Sequence, residues 1–157
     1  MYSVEDKIFC PMHGAGVIDD IENIDFNGKV NKYYVISLIG SNMKIKVPVD
    51  NESFLIRPIS DKTAAENILN SIKALEVSET VNWTKRYREN MDRLKTGEML
   101  ETARVLKALV IRSKSKTLSA GERKMLHSTK HILISELVLA LDKDSTEIEN
   151  YIYDAIG

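Results

Sequence analysis

The sequence predicts an α+β protein, with a small N-terminal β-barrel of the Tudor or SH3 type followed by an all-α C-terminal domain. Three observations predict it. An Asn27-Gly28 pair separates two runs rich in β-branched and aromatic residues, Met43 to Val47 alternates with period two, and beyond Pro58 the apolar spacing turns helical. The expected boundaries are a β domain over 1–60 and a helical domain over 61–157, with a linking helix at 61–75.

Val17 to Ile24 and Tyr33 to Leu38 read as the strands of a hairpin, because Asn-Gly fits the two positive φ angles of a type I′ turn. After Gly40-Ser41-Asn42, the alternation puts Met43, Ile45 and Val47 on a buried face and Lys44 and Lys46 on the wet one. Several short strands satisfy their edges best by curling together. Past Pro58, Thr63 and Glu66 have capping-box spacing, and Ala65, Ile68, Leu69, Ile72 and Leu75 form a helical stripe. Glu76 to Asn82 lacks periodicity, so it reads as a loop with Asn82 as the N-cap of a helix starting at Trp83. Gly97 suits the left-handed residue that ends it. A third helix is expected over about Glu98–Arg112, carrying Met99, Ala103, Leu106, Leu109 and Val110 inward. A fourth opens on the capping box Ser119-Ala120-Gly121-Glu122 and runs toward Leu141, and a last covers Thr146 to Ile156.

Hydrophobic content of 43% with 29% charged residues is enough to bury a core and argues against disorder. The single cysteine, Cys10, makes no internal disulfide, and Met1 to Asp6 has neither a basic nor an apolar leader region. A reducing cytoplasm is the expected location. The apolar stretch Ile132–Leu141 is interrupted by Ser135 and Glu136, too short and too polar to span a bilayer, so no membrane role is expected.

The formal net charge of −1 hides a strong asymmetry. Residues 83–131 carry 13 Lys/Arg against 5 Asp/Glu, net +8, whereas 132–157 carry 1 against 6, net −5. Local potential rather than the total steers a polyanion, so nucleic acid is a natural partner for the middle segment. At its head stands the only tryptophan, Trp83, followed by Lys85, Arg86, Arg88 and Arg93. Cations neutralise phosphates, and a flat apolar ring stacks on bases or levers them apart. The spacing of Trp83, Tyr87, Met91 and Leu94 equally suits the core stripe of an amphipathic helix.

Cys10-x-x-His13 and His127-x-x-x-His131 imitate zinc-ligand spacing, but the pairs belong to different parts of the chain, and no metal is expected. His13 more naturally shapes a turn with Gly14 and Gly16, and His127 and His131 join the basic face. Gly14-Ala15-Gly16 does not continue into a phosphate-binding loop, and no hydrolase signature surrounds either late histidine. The reading is a non-enzymatic protein with no cofactor and no small-molecule substrate.

Four blocks carry a resemblance: Phe9-Cys10-Pro11-Met12-His13-Gly14-Ala15-Gly16, the Met43 to Asn51 segment with Val47-Pro48-Val49-Asp50-Asn51, Asn82-Trp83-x-x-Arg86-Tyr87, and Leu118 to Leu126 with Ser119-Ala120-Gly121-Glu122-Arg123. Their order and spacing over about residues 3–141 resemble the CarD family of bacterial transcription regulators. The resemblance implies a Tudor-like domain that binds the RNA polymerase β subunit, and a helical domain that touches promoter DNA. It implies that Trp83 wedges into the minor groove at the upstream edge of the melted −10 region and stabilises the open complex. By matched position, Lys85, Arg86, Arg88 and Arg123 hold phosphates and Lys46 faces polymerase. Ile24 stands where some relatives carry an arginine that assists that contact. The alternative is a general single-stranded nucleic-acid-binding module without polymerase, using Trp83 and Tyr87 as stacking platforms.

Overall fold

A computed structural model describes residues 1–50, 56–77 and 80–157. Asn51, the last residue of one resembling block, and Ser78 and Glu79 of the expected loop lie outside the described residues. The N-terminal part is a five-stranded antiparallel sheet of β1 (Lys7–Cys10), β2 (Gly14–Phe26), β3 (Lys29–Leu38), β4 (Lys44–Pro48) and β5 (Arg57–Pro58), in the order β4-β3-β2-β1-β5. Among the described residues five helices follow: α1 (Lys62–Ser71), extended by a short 3-10 turn, α2 (Trp83–Lys95), α3 (Met99–Ser115), α4 (Ala120–Leu141) and α5 (Ser145–Ile156). The α+β class, with a Tudor-like sheet before an all-α part, holds. Among the described residues no helix is long and apolar enough to cross a membrane.

The hairpin forms where the turn chemistry puts it. Asn27 and Gly28 have φ of 53° and 79°, both in the left-handed region that the two-residue turn requires, and Phe26 pairs with Lys29. Ile8, Ile18, Ile36 and Val47 fill the sheet's own core, with Ile45 packed at its edge. Met43 departs from the expected alternation. It precedes β4 and is 61% exposed, because the strand only begins at Lys44.

Asn82 caps α2 through its side-chain oxygen, which accepts from the Lys85 amide, and Gly97, with φ of 72°, lies just past the helix end. The cap of α1 is Asp61 rather than Thr63: the Asp61 carboxylate accepts from the Ala64 amide, so the helix starts two residues earlier than the capping-box spacing suggests. The box at α4 is half formed. Ser119 Oγ accepts from the Glu122 amide, but the Glu122 carboxylate is bonded by Arg86.

The helical core gathers Leu106, Leu133, Leu137, Ile148 and Ile152. A second cluster of Leu94, Val105, Leu109 and Met125, with Tyr87 and Met91 against it, fastens α2 onto α3 and α4. Sheet and helices meet along α4, where Phe9, Ala15 and Ile132 form a shared apolar cluster. A Cβ on Gly14 would lie 2.8 Å from Ser135 Oγ, and that oxygen accepts from the Ala15 amide at 2.9 Å, so glycine permits the close approach. Beside it, Arg57 forks onto Glu136 at 2.6 and 2.8 Å, donates to the Gly97 carbonyl, and lies 4.3 Å over the Phe9 ring. Glu136 is 1% exposed and also accepts from the Ser60 amide. One guanidinium thereby joins the sheet, the end of α2 and the middle of α4.

Candidate nucleic-acid interface

Trp83 is the first residue of α2 and is 45% exposed. It stacks on Tyr87 one turn later, with centroids 5.4 Å apart and planes 21° from parallel. Its Nε1 donates to Ser119 Oγ at 2.9 Å, so the indole leans against the first turn of α4. The core stripe proposed from spacing is real from Tyr87 to Leu94 and stops short of full burial at Trp83.

Lys85 and Arg88 are exposed on α2, and Arg123 is exposed one turn into α4, its Nη1 donating to the Leu118 carbonyl. Among the described residues none of these three forms an ion pair. Lys114, Lys116 and Lys124 extend the exposed positive surface through the α3–α4 connection. Uncompensated cations around a half-exposed ring give a surface able to hold a polyanion.

Arg86 differs in its surroundings from the other cations of the expected phosphate set. It is 7% exposed, its Nε and Nη2 donate to Glu122 at 2.9 and 3.0 Å, and its Nη1 donates to the Thr80 and Val81 carbonyls. The guanidinium, bonded to the buried Glu122 carboxylate and to two backbone carbonyls just before α2, brackets α2 to α4. Arg112 Nε stands 4.0 Å from the same carboxylate. Bonding by Arg86 holds the Glu122 carboxyl below its ordinary value of 4.5, against the upward push of burial. The signal was present in the sequence: Arg86 lies four and eight residues before Asn90 and Leu94, both buried.

Lys46 belongs to β4, at an edge of the sheet, and shares no element with the basic helices. It is exposed and pairs with Glu22 at 2.9 Å, alongside a second pair, Lys44 with Asp19 at 3.1 Å. Ser37 bonds Asp19 as well, and these bonds, that from Ser37 foremost, keep the Asp19 carboxyl below its usual range. Ile24 is half-buried on β2 opposite Asn31. Cys10 is buried, and burial pushes its thiol up to about 12. Among the described residues no three His, Cys, Asp or Glu side chains gather as metal ligands would.

Two family models match the chain. One, described as the CarD-like/TRCF RID domain, matches residues 2–60, and the other, the CarD C-terminal domain, matches residues 67–153. A relative from Bacillus subtilis (strain 168), named as the putative transcription factor YdeB, is 37% identical over 152 residues, covering 96% of this chain and 99% of its own. Agreement over both parts, in order and over nearly the whole length, leaves one conclusion: the chain belongs to the CarD family.

Proposed function

We propose that this protein is a cytoplasmic, non-enzymatic transcription regulator that binds the RNA polymerase β subunit and stabilises the promoter open complex. The observation that carries the reading is the half-exposed Trp83 at the start of a basic helix, in a chain of the CarD family. In this reading the sheet, with Lys46 on its wet face, engages polymerase, and the ring enters the minor groove at the upstream edge of the melted −10 region. Lys85, Arg88 and Arg123 meet phosphates, and Arg86 holds the platform that presents them.

The physics is differential binding. Unstacking a base step costs a few kcal/mol, which an inserted ring partly offsets, so the opened DNA is favoured over the closed duplex. Only that preference shifts the equilibrium, and about 1.4 kcal/mol changes the occupancy of a scarce open complex about tenfold. Tethering to polymerase raises the effective concentration of the basic helices at DNA, so neither part needs to bind tightly alone.

The test is the lifetime of polymerase open complexes with wild type and Trp83→Ala. The variant should fold and lose the lengthened lifetime, because a ring this exposed carries less stability than the about 3–5 kcal/mol of a fully buried aromatic. Destabilisation of that full size in urea melts, with activity retained in the folded fraction, would overturn the wedge. Full-length protein should also retain the β subunit in a pull-down. Failure to do so, with fork-DNA binding intact, would leave a general single-strand binder.

A further inference from the structure

We propose that Ser119 is the positioning residue of the Trp83 ring. It sets the angle at which the indole is offered to DNA before DNA arrives, and this rests on the wedge reading above. Ser119 Oγ sits at the N-terminus of α4 and is held there from two sides. It accepts from the Glu122 amide at 3.1 Å and lies 3.5 Å from Glu122 Oε1. Glu122 is in turn fixed by the buried fork from Arg86. A hydroxyl has two acceptor positions, and the second takes the Trp83 indole N–H at 2.9 Å.

Two further neighbours flank the ring. Tyr87 covers one face, and Gly121 lies along the Cζ2 edge, where an added Cβ would stand 3.8 Å away. Trp83 as a whole stays 45% exposed with these neighbours in place. A tryptophan at a helix start has two free χ angles, and a bulky ring that must be found in one orientation binds more weakly when it wanders. One hydrogen bond from a rigid helix start removes that freedom. Trp83, Ser119, Glu122 and Arg86 form a chain of bonded groups, from the exposed ring to the buried bracket between α2 and α4.

The test uses the full chain with Ser119→Gly and Ser119→Thr. Glycine keeps most of the cap and removes the acceptor, whereas threonine keeps both. Trp83 is the only tryptophan, so its emission reports this ring alone. In DNA-free protein, Ser119→Gly should shift the emission and raise its quenching by acrylamide, and Ser119→Thr should match wild type. With polymerase and promoter, Ser119→Gly should shorten the open-complex lifetime by about fivefold, the worth of one ordinary hydrogen bond. It should have no further effect in a Trp83→Ala background. Unchanged emission and quenching in Ser119→Gly would overturn the proposal, as would an equal loss of lifetime with and without Trp83. If Trp83→Ala itself leaves the lifetime unchanged, the wedge reading fails, and the emission measurement still decides whether Ser119 holds the ring.

Discussion

Arginines that look alike in the sequence separate completely at the scale of single residues. Arg86 and Arg88 are two positions apart, yet one is bonded to Glu122 inside the protein and the other faces water. Arg86→Ala should cost about 3–5 kcal/mol in urea melts, because it leaves a buried carboxylate without its partner. Arg88→Ala and Arg123→Ala should stay within about 0.5 kcal/mol of wild type. Their effect belongs in DNA binding: each should lower affinity equally on unrelated duplexes and reduce the slope of log affinity against log salt by about 0.9. An unchanged slope in a salt titration would remove them from the phosphate set. The same pair gives a pH dependence. Glu122 has a folded pKa below its ordinary 4.5, so its contribution to stability is present above that value and is lost as pH falls through the lower folded one. Urea midpoints should therefore drop on acidification below about pH 4.5, and less so in Glu122→Gln. Counting cations along the chain could not separate the two arginines, since the partner of Arg86 lies 36 positions away.

Most elements were legible because each announces itself within a few residues. Asn27-Gly28 specified a turn, Asn82 a helix start and Gly97 a helix end, and all three stand where local chemistry requires. The two strands that went unread, β1 and β5, lack such signals. Ile8, Phe9 and Cys10 are buried in succession because β1 is an inner strand covered on both faces, so no alternation shows. β5 has two residues and exists only through its pairing with β1. Gly28→Ala should destabilise the hairpin by about 1–2 kcal/mol, the cost of a left-handed residue with a Cβ. Gly121→Ala should raise stability by about 0.5–1 kcal/mol, because the new methyl meets Tyr87 and Trp83 at ordinary contact distance. On β4, Lys46→Ala should weaken capture of polymerase and leave fork-DNA binding unchanged, with stability altered by less than about 1 kcal/mol for so exposed a pair. Equal loss of DNA binding would show that sheet and helices do not divide the work.

For the molecule as a whole, the joint between sheet and helices fixes where the two proposed surfaces stand. Ser135 and Glu136 interrupt an apolar run, and the structure explains both: one bonds the Ala15 amide and the other receives Arg57. No sequence pattern foretold this, because Arg57 and Glu136 lie 79 positions apart and each alone resembles surface charge. Arg57→Ala should cost stability toward the lower end of the about 3–5 kcal/mol range for a broken buried pair, since part of the guanidinium is open to water. Because Arg57 also holds the Gly97 carbonyl at the end of the helix that begins with Trp83, sheet and ring are a set length apart. On the proposed reading such a molecule is a ruler: it finds its step by distance from polymerase, not by the letters there. Changing the base pair at the step should leave the effect intact. Moving the melted edge by one pair, about 3.4 Å and a tenth of a turn, should weaken it on pre-opened templates. Glu136→Gln, which slackens the joint, should make that dependence on distance shallower.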